Sequence, residues 1–392
     1  MSRTSTSLLL ILLLMSEDEE DEDISFRDRL ELRYRRLRSG KIRRLSLDLP
    51  NASAFVRLFG SGQDDALVTL CGFDHRSFES LHNLFGPLYD NHSPHALRGR
   101  LIVKHNKKKG GRRLLTSWHC LALILAWTRT RGSLAVLQII FGVTASSLSL
   151  WLRFGRRMLI RALRSHELAV VALPTAEELQ RFVAAVTLKY PALQNCWGAM
   201  DGLKIRLECA GNSKMQNLFY NGWTHDHYIS NLFLFSPDGK IRACYVNAPG
   251  SVHDSTMAQW GGLYQKIDNM YRIYGVKIVV DSAFASEARD SVYKSFQNNI
   301  DNDGNVRQAF DIQQQATSVR QLSEWGMRAL QASFPRLKDR MIYEEKGERR
   351  LIMNMIVFLY NYRASVVGLN QIQSSFMPWL ERNANGEVGL IA

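Results

Sequence analysis

The sequence predicts a mixed α/β domain, a sheet flanked by helices, preceded by an all-α module. Three observations carry this expectation. Apolar residues recur with helical spacing from Ser117 to about Leu168, then alternate with strand spacing from Cys196 onward. The apolar runs of the second half are short and are separated by turn chemistry such as "SPDG", Ser236 to Gly239. From Ala316 to Arg340 the helical period returns. Strands, a helix, a further strand and then helices is the order of a mixed sheet covered by helices.

Composition bounds the function. The 392 residues are 46% apolar, enough for two or three domains with a sizeable core. The formal net charge of +13 favours a polyanionic partner, nucleic acid before an acidic membrane surface. The five cysteines are scattered and form no C-x-x-C pair, which argues against a disulfide framework or a zinc site and fits a reducing compartment. The apolar run Leu8 to Met15 is too short to span a bilayer as a helix. Only Arg3 precedes it, and the seven carboxylates Glu17 to Asp23 follow at once, so a short partner-binding helix is expected rather than an export signal or a membrane anchor.

Four segments follow from these patterns: a charged N-terminal segment, 1–50; a helical domain, 51–190; an α/β domain, 191–365; and a tail, 366–392. In the first, the basic stretch Phe26 to Leu45 either contacts phosphate or neutralises Glu17 to Asp23. In the second, the loop "KHNKKKGGRR" offers Lys107, Lys108, Lys109, Arg112 and Arg113 as phosphate contacts. Trp118, Leu121 and Leu125 then form a helical stripe that breaks at Arg129 to Leu134, with Ser133 a candidate N-cap. A short helix, a turn at Gly142-Val143 and a longer helix capped by Thr144 or Ser146 give a helix-turn-helix outline. Arg153, Arg156 and Arg157 on that longer helix are candidate DNA contacts; the alternative is an ordinary bundle corner. A further helix, Leu173 to Val186, starts with Pro174 and the cap Thr175.

The α/β domain carries the candidate chemistry. Strands are expected at Cys196 to Leu207, His227 to Phe235, Lys240 to Asn247 and Lys277 to Phe284. Asp201 interrupts the first, followed by Gly202, so it is either a hairpin residue or a metal ligand. Asp254 follows a Pro-Gly loop, as a first-turn helix acid or a ligand. Asp281 ends "KIVV", at the carboxyl end of a strand where α/β sheets place chemistry. Glu324 lies beside the buried stripe Val319, Leu322, Gly326, Leu330 and Phe334, where it could pair with Arg328 or reach the sheet edge. Three or four carboxylates converging from separate elements can hold a pair of Mg²⁺ ions for phosphodiester cleavage. His253 is expected to be neither ligand nor base, and Asp238 to be a turn residue of "SPDG".

The motifs "GAMDG", "YNGWTHDHYISNLFLFSPDGKI", "APGSVHDSTM", "VVDSAF" and "EWGMRALQASFPRLKDR", in this order, resemble the DDE endonuclease domain of PIF/Harbinger transposases and Harbinger-derived nucleases. The resemblance covers roughly Trp197 to Leu359. It implies an RNase H-like fold, a divalent cation (Mg²⁺ or Mn²⁺) and cleavage of DNA by a two-metal mechanism. Asp201, Asp281 and Glu324 would form the catalytic triad, with Asp254 a further metal-site acid. "SEWGMR" departs from the Arg-Ala-Phe-Gly-like run that many relatives carry after the late acid, which bears on Glu324. The resemblance also implies a Myb-like DNA-binding partner protein, a possible homo-oligomer and the nucleus as location. The alternatives are a domesticated DNA-binding protein without transposition, or a nuclease acting on RNA.

Overall fold

The computed structural model describes residues 42–94, 113–209, 211–284, 289–294, 306–342, 346–367 and 371–377. The Leu8 to Met15 run, the acidic run Glu17 to Asp23, most of the basic stretch after it, Lys107, Lys108, Lys109, Arg112 and most of the tail lie outside the described residues.

The first part of the chain is helical throughout: α1 (Ala54–Gly60), α2 (Asp64–Cys71), α3 (His75–Asn91), α4 (Ser117–Arg129), α5 (Ala135–Phe141), α6 (Ala145–Leu163) and α7 (Ala176–Lys189). Short polar side chains set several starts. Asp74 accepts from the Ser77 amide at 2.7 Å to open α3, and Thr175 and Glu178 form a reciprocal capping box at the start of α7. Thr144 is the N-cap of α6, and α5 and α6 meet at 86° across the Gly142-Val143 turn. Among the described residues no single helix is long and apolar enough to cross a membrane.

The second part alternates: β1 (Cys196–Arg206), α8 (Ser213–Phe219), β2 (Tyr220–Asn221), β3 (Asp226–Phe235), β4 (Ile241–Pro249), α9 (Asp254–Trp260), α10 (Leu263–Tyr274), β5 (Lys277–Val280), β6 (Val292–Lys294), α11 (Val306–Ser333), α12 (Lys346–Val366) and α13 (Gln371–Phe376). The sheet runs β4-β3-β1-β5-β6, with the two residues of β2 added beside the start of β3. β1 is antiparallel to β3 and parallel to β5, so the sheet is mixed. Asp201 and Gly202 pair with Phe233 and Leu232 inside β1, so the Asp-Gly step is mid-strand and the hairpin alternative is excluded. By contrast "SPDG" is a turn, with the Gly239 amide donating to the Ser236 carbonyl at 2.8 Å.

Two expected boundaries move. The late helix starts earlier than Ala316 and stops at Ser333 rather than Arg340, because Pro335 has no N–H to continue the ladder and opens a short 3₁₀ turn instead. The "KIVVDSAF" strand stops at Val280, where the Phe284 amide turns back to the Asp281 carbonyl at 3.1 Å.

Strand alternation divides the sheet between two layers. Ala199, Leu203, Ile205, Phe233 and Phe235 face α11, in one core continuous with α12 and the helical first part. Met200, Leu232, Leu234, Ile278 and Val280 face α7, α9 and α10. Gly326 brings α11 onto the sheet: a Cβ there would come within 2.5 Å of the Phe235 ring. That close approach sets the height of α11, and of Glu324 two residues earlier, above the strand ends.

Candidate active site

The parallel pairing of β1 with β5 aligns Met200 with Val280. The next residue on each strand is an acid, so Asp201 and Asp281 are neighbours across two adjacent strands. Each carboxylate is oriented by the backbone that follows it. Asp201 Oδ1 accepts from the Gly202 amide at 2.7 Å, and Asp281 Oδ1 from the Ser282 amide at 2.8 Å.

Asp254 is the first residue of α9, which follows the β4 loop. Its carboxylate lies directly over Gly202. A Cβ at Gly202 would meet Asp254 Oδ2 at 2.6 Å and Oδ1 at 2.8 Å. This explains the glycine that follows Asp201: it makes room for a second acid, not for a turn. Glu324 comes from α11, on the opposite layer. Its Oε1 pairs with Arg320 Nη2 at 2.8 Å, one helical turn earlier, rather than with the anticipated Arg328. Arg320 Nη1 also reaches Asp281 Oδ1 at 3.8 Å. The structure thus sets Asp201 beside Asp281 at adjacent strand ends, places Asp254 against Gly202, and links Glu324 to Asp281 through Arg320.

The electrostatics follow from this crowding. Burial pushes the Asp201 carboxyl up to about 6, and the nearby charges of Asp281 and Asp254 add to it, against the Gly202 amide and Arg320. Asp254 is also raised, by burial first and by Asp281, with Lys204 and His253 opposing. Sequence inspection missed Arg320 and Lys204. Their signals were present: Arg320 precedes Glu324 at helical i,i+4 spacing, and Lys204 shares a strand face with Gly202.

These side chains suit a hard divalent cation. All four donors are carboxylates, and burial and neighbouring negative charge raise the Asp201 and Asp254 carboxyls, a cost that a cation joining them relieves. Among the described residues no three Asp, Glu, His or Cys side chains stand close enough to hold an ion without rearrangement, and the Arg320 guanidinium contacts two of the acids.

Residues 200–361 match a family model described as DDE superfamily endonuclease. This region is therefore similar to the DDE superfamily endonucleases. The match runs from one residue before Asp201 into α12 and contains all four acids. No curated protein and no solved structure gives a significant match to the chain.

Outside the matched region, the candidate phosphate contacts that lie among the described residues are engaged within the protein. Arg113 donates to the carbonyls of Tyr89 at 2.6 Å, Asp90 at 3.2 Å and His92, and stacks over the Tyr89 ring at 4.4 Å. Arg153, Arg156 and Arg157 of α6 converge on Glu348 of α12 at 3.6–3.7 Å. Arg156 also stacks on Trp127 at 4.8 Å and is nearly buried, whereas Arg153 is exposed.

Proposed function

We propose that this protein is a Harbinger-type DDE transposase, or a nuclease derived from one, that cuts DNA phosphodiester bonds with divalent cations. The observation that carries the proposal is the placement of Asp201 beside Asp281 with Asp254 against Gly202, inside the region similar to DDE endonucleases, with Glu324 tied to Asp281 by Arg320. The strand order supports an RNase H-like fold for this region: three antiparallel strands extended by two parallel ones, with the acids at the junction.

Asp201, Asp254, Asp281 and Glu324 would hold Mg²⁺ or Mn²⁺. Two such cations, when bound, supply an activated water or DNA 3′-hydroxyl and stabilise the leaving oxygen. The protein's own contribution is orientation. The Gly202 and Ser282 amides fix the Asp201 and Asp281 carboxylates, and the Gly202–Asp254 contact sets a third acid against them. DNA as substrate is supported by the net charge of +13. A helix-turn-helix role for α5 and α6 is supported by their 86° crossing and by the exposure of Ser146, Ser149 and Arg153 along the first turns of α6. In a cell this activity belongs in the nucleus, with a Myb-like protein or a second copy of the chain as partner.

The test is nicking of supercoiled plasmid in Mg²⁺ or Mn²⁺ by the wild type, Asp201→Asn and Asp281→Asn, beside a duplex RNA of the same length. Nicking of DNA by the wild type alone is expected. Equal nicking by all three proteins would remove the catalytic assignment, and preferential cleavage of RNA would replace the substrate. Binding of DNA with no metal-dependent nicking would point to a domesticated DNA-binding protein.

A further inference from the structure

Arg320 stands where the divalent cations of the proposed reaction would bring positive charge. Its Nη2 is 2.8 Å from Glu324, its Nη1 is 3.8 Å from Asp281, and it lowers the energy of an ionised Asp201 nearby. One guanidinium therefore contacts two of the four acids, Asp281 and Glu324, which come from different elements, and its charge also acts on Asp201. Its hold is incomplete. Only the Glu324 contact is short, and Arg320 Nε is buried with no hydrogen-bond partner among the described residues. About 29% of the Arg320 side chain is exposed, so it has a route to solvent by rotation about its own bonds. Compare Arg242 on the same sheet, whose guanidinium makes four contacts of 3.3 Å or less and is almost fully buried. Arg242 is a fixed staple, and Arg320 is not built like one.

We infer that Arg320 is an internal counter-ion of the metal-free site, a positioning residue that holds Asp281 and Glu324 together and is displaced when a divalent cation binds. The inference rests on the reading of these acids as metal ligands. The physical reason is competition: a guanidinium and a divalent cation cannot both sit against the same carboxylate oxygens without strong repulsion at this spacing. The arginine keeps the crowded acids together while no cation is bound, and its removal is part of the cost of loading the site.

The test is Mn²⁺ titration of the full chain by calorimetry, with melting temperatures in EDTA and in saturating Mn²⁺. The proteins are the wild type, Arg320→Gln, Arg320→Lys and Asp281→Asn. Arg320→Gln is expected to bind Mn²⁺ about tenfold more tightly, which corresponds to about 1.4 kcal/mol. It should also melt lower than the wild type in EDTA, with the deficit closing in Mn²⁺. Arg320→Lys, which keeps a charge but loses the fork that reaches two acids, should fall between the two. It serves alone if the Gln variant does not fold. Equal or weaker Mn²⁺ binding by the variants, with binding still lost in Asp281→Asn, overturns the role of Arg320 and leaves the metal site standing. Binding that ignores Asp281→Asn, or no binding by any protein, overturns both.

Discussion

Two arginine–carboxylate clusters sit on the same sheet and behave in opposite ways. At the start of β4, Arg242 donates to Glu178 at 2.9 and 3.3 Å, to Asp238 at 2.6 Å and to Ser236 Oγ at 2.9 Å. There burial alone would raise the Glu178 carboxyl, but the Thr175 amide and Arg242 outweigh it and hold the group below its ordinary value. At the end of β5, Arg320 faces Asp281 and Glu324, with Asp201 and Asp254 alongside, and both of those acids are raised. The first cluster has every polar edge of its arginine satisfied and serves the fold. The second carries more negative charge than its arginine covers. Such an excess is destabilising in the isolated protein and becomes useful only when something positive arrives.

This contrast can be broken in order of expected effect. In the acid cluster, Asp201→Asn should reduce metal-dependent nicking by at least about 1,000-fold, the equivalent of several kcal/mol of charge stabilisation. The same variant should unfold in urea at the same concentration as the wild type or a higher one, because it removes like-charge repulsion. A clear loss of stability would make Asp201 a structural acid like Glu178.

Arg242→Ala should do the reverse. Leaving Glu178 and Asp238 without their cation is expected to cost about 3 kcal/mol of unfolding free energy while nicking per folded molecule stays unchanged. Chemical denaturation and the nicking assay on the same preparation read both halves of that statement.

Gly202→Ala probes how the acids are seated. The new methyl would meet Asp254 at 2.6 Å, so the carboxylate must shift off its seat against Gly202. A displacement of this kind is expected to lower nicking about 100-fold with a small change in stability. Unchanged activity would remove Asp254 from the site.

The smallest effect is in pH dependence, and its sign differs between the clusters. Asp201 is raised to about 6 from an ordinary 3.8, so its charge opposes folding above pH 6. Without metal, its penalty is relieved as pH falls from 6 towards 3.8, a gain of about 1–2 kcal/mol that Asp201→Asn should abolish. Glu178 is lowered, so it contributes stability above its unfolded value of 4.5 that is lost as pH falls through its folded value below that. Unfolding curves of the two variants across pH 3–7 should therefore diverge from the wild type in different windows.

Much of this was legible in the residues. The helical period, the alternation after Cys196, the cap at Thr175 and the turn at "SPDG" are all local signals, and the elements they marked formed, with the late helix displaced by seven to ten residues at its ends. The four acids were also legible, as carboxylates at the ends of apolar runs. The alternatives left open by the sequence were of a different kind. Asp201-Gly202 has the chemistry of a hairpin and sits mid-strand, because pairing with Phe233 and Leu232 on one side and alignment with β5 on the other override a local turn preference. Glu324 has Arg320 and Arg328 at equal spacing, and helix geometry alone cannot choose between them. The other acids lie on the Arg320 side. Likewise Arg153, Arg156 and Arg157 could be read as phosphate contacts or as part of a bundle corner, and the sequence has no local sign of the single glutamate, almost two hundred residues later, that faces all three.

By itself, the sequence determined which chemical groups the protein carries, the elements that bear them and their order, since period, capping and turn preference act over a few bonds. The tertiary structure alone decided that a glycine clears space for Asp254, that Asp201 and Asp281 lie side by side, and that Arg320 bridges Asp281 and Glu324. Those outcomes depend on strand register and on how closely α11 packs onto the sheet, which are set by contacts between residues far apart in the chain.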